Sequence, residues 1–261
     1  MKTSKMKEKL EAFERLLIIM DELREKCPWD RKQTFESLRN LTIEETYELA
    51  DAIIEKNTEE IKKELGDLML HLVFYSKIGS ETNAFDIKSV LDSISEKLIF
   101  RHPHVFGDTD VKNNPEIVKK NWEELKMREG NDSVLGGVPN SLPAMIKANR
   151  IQEKVRAVGF DWEEPGQIWE KVQEELNEFK EEVNKMDRDK MEAEFGDLLF
   201  SVINAARLYD IDPETALEKT NKKFIKRFNY LENNTLKKGK KLNNMTLDEM
   251  NAIWEEAKKL D

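Results

Sequence analysis

The chain has 261 residues, 43 basic and 53 acidic side chains, and a net charge of −10. That balance argues against the concentrated basic face of a nucleic-acid binder; one cysteine, Cys27, excludes an intramolecular disulfide and a cysteine-based zinc cluster. With only ten glycines and seven prolines, and with abundant Lys, Glu, Leu, Ile and Met, the composition favours helix over strand.

Apolar periodicity, acidic first turns and proline starts predict helices near 5–25, 37–55, 58–80, 86–100 and 115–128. After a stretch at 130–143, which holds three of the ten glycines and two of the seven prolines, they resume near 142–156, 167–185, 188–209, 213–233 and 246–259. The expected fold is therefore all-α: a first domain over 1–129, a linker over 130–143 and a second domain over 144–261. The longest strongly apolar stretch, Leu68 to Tyr75, is far short of the roughly 20 residues that cross a bilayer. The charged start lacks a signal-peptide core, so the expectation is a soluble cytoplasmic protein that engages neither membrane nor nucleic acid.

The two halves repeat one another at an offset of 130 residues. Glu44, Glu45, Glu48, Glu64 and Asp67 recur as Glu174, Glu175, Glu178, Glu194 and Asp197. Over 41–78 against 171–208 there are seven identities, and five are these acids; the other two are Gly66/Gly196 and Leu68/Leu198. Lys97 and Arg101 pair with Lys223 and Arg227, and Trp122 pairs with Trp254. A duplication that keeps its carboxylates while its core drifts points to a site that uses them together.

Glu175 and Glu178 are three apart at the edge of an apolar stripe formed by Ile168, Val172, Leu176, Phe179 and Val183. The next helix, carrying Glu194 and Asp197, is apolar nearly all round and so is expected to be central and buried. Buried carboxylates are costly unless paired or metal-bound, and Lys190 and Arg207 can offset only part of this charge. Oxygen donors without His or Cys suit a hard ion, Mg²⁺ with Mn²⁺ as the alternative, better than a di-iron centre; the competing explanation is structural ion pairing. Lys223 and Arg227, four apart, could bind phosphate, while Trp254 could stack on a base or simply pack. The first copy is more apolar, with Phe74, Tyr47 and Ile43 where the second has Asn204, Asn177 and Gln173. His102 and His104 around Pro103 read as packing, Cys27 as a buried small residue, and Lys237–Lys241 as a solvated turn.

The EExxE…ExxD pattern, with CPWD at Cys27–Asp30, RHPHVF at Arg101–Phe106 and GFDW at Gly159–Trp162, resembles the MazG-type nucleoside triphosphate pyrophosphohydrolases. That resemblance implies two tandem MazG-like helical bundles, a homodimer, and ATP and other ribo- and deoxynucleoside triphosphates as substrates. Magnesium-dependent hydrolysis between the α and β phosphates would yield a monophosphate and pyrophosphate. It further implies that Glu175, Glu178, Glu194 and Asp197 hold the metal and that Glu174 orients or deprotonates the attacking water, so that Glu174 and Glu175 are the catalytic pair. Lys171, Lys190, Asp197, Lys223, Arg227 and Trp254 would contact the nucleotide. The second domain would be the catalytic one and the first a structural or regulatory copy, with a second metal site at Glu45, Glu48, Glu64 and Asp67. The alternative is a nucleotide-binding regulatory dimer with little turnover.

Overall fold

Every regular element among the described residues is helical, which meets the all-α expectation. The computed structural model describes residues 2–112, 114, 117–118, 121–122, 125, 133–237, 239 and 241–260. The chain divides into two compact units, Met1–Val118 and Lys119–Asp261. The division thus falls upstream of the Gly/Pro-rich stretch at 130–143, whose described part groups with the second unit.

The first unit contains α1 (Lys2–Lys26), α2 (Phe35–Glu55), α3 (Thr58–Glu81), α4 (Ile87–Arg101) and the single turn α5 (Pro103–Phe106). The second contains α6 (Ala144–Ala157), α7 (Pro165–Lys185), α8 (Arg188–Arg207), α9 (Pro213–Lys237) and α10 (Leu247–Ala257). Most of the helix expected at 115–128, and part of the Lys237–Lys241 run, lie outside the described residues. The sequence reading missed α5, which starts on Pro103, a residue whose fixed φ suits the first helical position. His102 and His104 pack ring against ring at 5.6 Å, and Cys27 is half-buried rather than buried.

The duplication is visible in the caps. Thr34 caps α2, its hydroxyl accepting from Ser37 N at 3.2 Å while Ser37 Oγ accepts from Thr34 N at 2.9 Å, a reciprocal capping box. At the same place in the repeat, Glu164 N donates to Gln167 Oε1 at 3.0 Å. α2 ends on Lys56 at φ 55°, and Asn57 then caps α3 through Oδ1, which accepts from Glu60 N. α7 ends on Met186 at φ 58°, and Asp187 caps α8 through Oδ1, which accepts from Lys190 N. One left-handed residue followed by a side-chain cap reverses the chain in the shortest way. Helices of equal length, α2 and α7 at 21 residues each, joined by the same turn, meet in the same register. That register brings the acids of one helix opposite those of the next.

In the first unit α2 and α3 pack together, and α1 lies against α3. Met20, Leu38, Val73, Phe74 and Ile78 form the core, supported by Phe13, Leu16, Leu17, Leu41, Leu70 and Tyr75. Arg24 closes one end, pairing with Glu81 at 2.6 Å and donating to the main-chain oxygens of Asp30 and Gln33. In the second unit α7 packs on α8, α6 on α8 and α9, and α10 on α9. Buried Ile168, Ile203, Ala205, Leu231, Ile253 and Ala257 mark that core.

One expectation is corrected here. The helix carrying Glu194 and Asp197 is not buried all round: Phe195, Leu199, Phe200 and Val202 are each more than 40% exposed. α8 buries the face that packs on α7 and α6, and its opposite apolar face lies at the unit's surface. Leu65, Met69 and Leu72 leave the same face exposed on α3, at the same repeat positions.

Candidate active site

Both repeat turns bring carboxylates together, though not all of them. In the second unit, oxygens of Glu175, Glu194 and Asp197 lie within 4.8 Å of one another; in the first, those of Glu45, Glu64 and Asp67 do the same. Glu178 and Glu48 stand beside these triads rather than within them. Burial, followed by the charges of Glu175, Glu194 and Glu174, pushes the Glu178 carboxyl above its ordinary pKa. Glu45 is likewise raised, first by burial and then by Asp67, Glu48 and Glu64.

The residues fit a hard cation. All donors are carboxylate oxygens and come from two helices held by one turn; one in each triad, Glu64 and Glu175, is buried where uncompensated negative charge is costly, while Asp197 is exposed. In the first cluster Glu64 is 3% exposed, and its Oε2 is buried with no hydrogen-bond partner among the described residues.

Lysines offset part of this charge, and they differ between the copies. Lys171 Nζ on α7 lies 2.8 Å from both Glu174 and Glu175. Hydrogen bonds to Glu174 and then Glu175 raise the lysine well above its ordinary pKa and hold it protonated. The first unit has Leu41 at that position and uses Lys63 on α3, 2.8 Å from Glu64. Lys190 and Arg207, expected near the acids, are engaged elsewhere: Lys190 with Asp187 at 3.4 Å, Arg207 with Asp161 at 2.5 Å. Arg207 is 8% exposed. Burial pushes the Asp161 carboxyl up, but the bonds and charge of Arg207, with the Trp162 N–H and the Arg156 charge, together outweigh it and keep the carboxyl below the usual range.

The second triad borders a cavity of about 560 Å³, within the size range of small-molecule sites. Glu175, Asp197 and Lys171 line one part of it; Ile151, Val155, Phe160, Trp162 and Ile168 supply apolar and aromatic walls. Gln152, Ser201, Asn204 and the Asp161–Arg207 pair add polar groups. The first unit treats the equivalent positions differently. Phe74 replaces Asn204 and is packed into the core with Leu38, the counterpart of Ile168. His71 replaces Ser201, and burial pushes its imidazole pKa down.

Among the residues proposed from the sequence, Lys171, Glu175 and Asp197 meet at the cavity, and Glu174 is held beside them by Lys171. Lys190, Lys223, Arg227 and Trp254 do not line it. Trp254 instead packs against Phe224 at 5.0 Å, with the Arg227 guanidinium 5.9 Å from its ring centre. Lys223 is exposed on the same helix. The sequence reading passed over Gln152. The signal was there: Ala148, Ile151 and Val155 make an apolar stripe on α6, and Gln152 is a polar residue set in that face.

The fold and site are thus those of a tandem helical protein with two acid-bearing hairpins, the second bordering a cavity. The model of the MazG nucleotide pyrophosphohydrolase domain matches residues 33–106 and again 163–231. A Thermotoga maritima protein named nucleoside triphosphate pyrophosphohydrolase/pyrophosphatase MazG is 45% identical over 97% of this chain and 98% of its own. An Escherichia coli protein named nucleoside triphosphate pyrophosphohydrolase is 39% identical over 96% of this chain and 98% of its own. The chain belongs to the MazG nucleotide pyrophosphohydrolase family and is an enzyme of the hydrolase class. An uncharacterized Bacillus subtilis protein shares 44% identity over 90% of this chain, which matches 49% of that protein.

Proposed function

We propose that the protein hydrolyses nucleoside triphosphates, ribo- and deoxyribo-, between the α and β phosphates, releasing a monophosphate and pyrophosphate, with Mg²⁺ as cofactor. The observation that carries this is the convergence of Glu175, Glu194 and Asp197 oxygens within 4.8 Å at the edge of a nucleotide-sized cavity. These three, with Glu178, would hold the cation, which when bound supplies charge neutralisation and Lewis-acid polarisation of the phosphate oxygens. Glu174, next to the triad, orients the attacking water and accepts its proton. Lys171 moves from the carboxylates to the phosphate oxygens and offsets charge developing there. The aromatic walls at Phe160 and Trp162 receive the base, and Asp161 with Arg207 keeps those walls in place.

In this reading the second unit is catalytic. The first keeps a cation site at Glu45, Glu48, Glu64 and Asp67 but fills with side chains the space where a nucleotide would lie. Lys190, Lys223, Arg227 and Trp254 are proposed to engage the triphosphate or base as the bound nucleotide extends beyond the cavity. The enzyme acts as a homodimer, its exposed faces on α3 and α8 covered by a second copy. Gly66 and Gly196 sit in those faces with open space where a Cβ would stand, room for a close helix approach. No helix among the described residues is long and apolar enough to cross a membrane, and we infer a cytoplasmic location.

Product analysis after incubation with a panel of nucleoside triphosphates tests this. Monophosphate and pyrophosphate, lost on chelation and restored by Mg²⁺, are expected. Diphosphate and phosphate would refute the cleavage position, and binding without turnover would refute the activity.

A further inference from the structure

We propose that Asn204 donates a hydrogen bond to the acceptor that every nucleobase carries next to its sugar, N3 of a purine or O2 of a pyrimidine. It thereby holds a nucleotide by its base without choosing among bases. This rests on the function proposed above and goes beyond it by assigning a base contact, and with it a breadth of substrate, to one residue.

Asn204 is half-buried and lines the cavity together with Asp197 and Ser201 of the same helix. At about 100° per residue it lies roughly 20° around α8 from Asp197. It is about 140–180° away from the exposed Phe195, Leu199 and Val202, none of which lines the cavity. Its Oδ1 accepts from Arg207 Nε at 3.0 Å. A guanidinium only donates, so this bond fixes which way the amide is turned. Arg207 is itself held by both oxygens of Asp161, at 3.1 and 2.5 Å. The Asn204 amide nitrogen then has no partner among the described residues, yet it is not one of the unpaired side-chain atoms sealed from solvent. An unpaired donor with accessible surface therefore stands on the cavity face of α8.

Its place along the helix says what that donor meets. Asn204 is seven residues, roughly 10 Å, beyond Asp197. Arg207 binds both Asn204 and Asp161, the residue between Phe160 and Trp162, and so ties the donor to the aromatic walls. With the α-phosphate at the acids and the base at those walls, the sugar spans the interval and the sugar edge of the base meets Asn204. Purines present N3 on that edge and pyrimidines O2, an acceptor in every case. Aromatic walls likewise stack on every base. The two together demand a base and leave its identity open. The first unit has Phe74 at this position, a core side chain with no donor.

The test compares kcat/KM by pyrophosphate release for ATP and 3-deaza-ATP, in which a C–H replaces N3. Wild type should favour ATP about tenfold. Asn204→Asp keeps an oxygen for Arg207 but loses the N–H donor, so it should lower kcat/KM for ATP about tenfold and bring the two substrates to parity. GTP, CTP and UTP keep the acceptor and should lose as much as ATP; unequal losses would overturn the base-independence. Binding of AMP against 3-deaza-AMP by wild type gives the same contrast without turnover and without a variant. Equal use of ATP and 3-deaza-ATP by wild type would overturn the inference while leaving the proposed function intact. A preference for ATP that survives in Asn204→Asp would overturn the role of this residue. No pyrophosphate from any triphosphate would overturn the proposed function and this inference with it.

Discussion

Lys171 Nζ sits 2.8 Å from Glu174 and 2.8 Å from Glu175, so one ammonium bridges the residue proposed to activate water and a residue proposed to hold the metal. Two charge-assisted bonds of this kind hold the two acids together, and in the proposed mechanism the lysine shifts toward phosphate when a cation occupies the carboxylates. Lys171→Met should raise KM for the triphosphate about tenfold, the loss of one charge-assisted contact. Steady-state kinetics with Mg²⁺ in excess would show it; an unchanged KM would confine Lys171 to charge neutralisation.

Each carboxylate triad brings three oxygens within 4.8 Å of one another, and the second borders the cavity that Asn204 and Arg207 also line. Asp197→Ala should lower kcat on the order of a thousandfold, comparable to loss of a major electrostatic contributor, whereas Asp67→Ala should leave most of the activity. Equal losses from the two variants would mean that both units turn over substrate.

Asp161 is held below the usual carboxylate range because Arg207, with the Trp162 N–H and Arg156, together outweigh its burial. A carboxyl with a depressed folded pKa contributes stability that is complete above its unfolded pKa, about 3.9, and is lost as pH falls through the folded value. Denaturant titrations of the wild type should therefore show part of the second unit's stability disappearing below about pH 4. Asp161→Asn, which leaves buried Arg207 without its counter-charge, should cost about 2–3 kcal/mol at neutral pH, the lower end for a buried pair because Asp161 is partly exposed. Its pH dependence in that window should be flatter than the wild type's.

The exposed residues Leu72 on α3 and Val202 on α8 occupy equivalent repeat positions on apolar helix faces. Leu72→Glu with Val202→Glu should convert the proposed homodimer to monomer in sedimentation velocity. A monomeric wild type would remove the dimer from the functional picture.

What the sequence could determine was whatever depends on local chemistry. Helix spans followed from apolar spacing and caps, because a helix closes its hydrogen bonds within itself. The pairing of acids followed from a repeat at constant offset, because equal helices joined by equal turns meet in equal register. Glu175, Glu194 and Asp197 were legible for that reason. Tertiary packing decided the rest. Arg207 looks like a partner for the acids along the chain, yet it binds Asp161, brought to it across the fold from the loop before α7. Gln152 became a cavity residue only because α6 lies against α8, where the Phe200 carbonyl fixes its amide. The apolar helix at 194–206 looked buried from composition alone. Its outer face is exposed because a helix's burial depends on what packs against it, and no spacing within one chain records that.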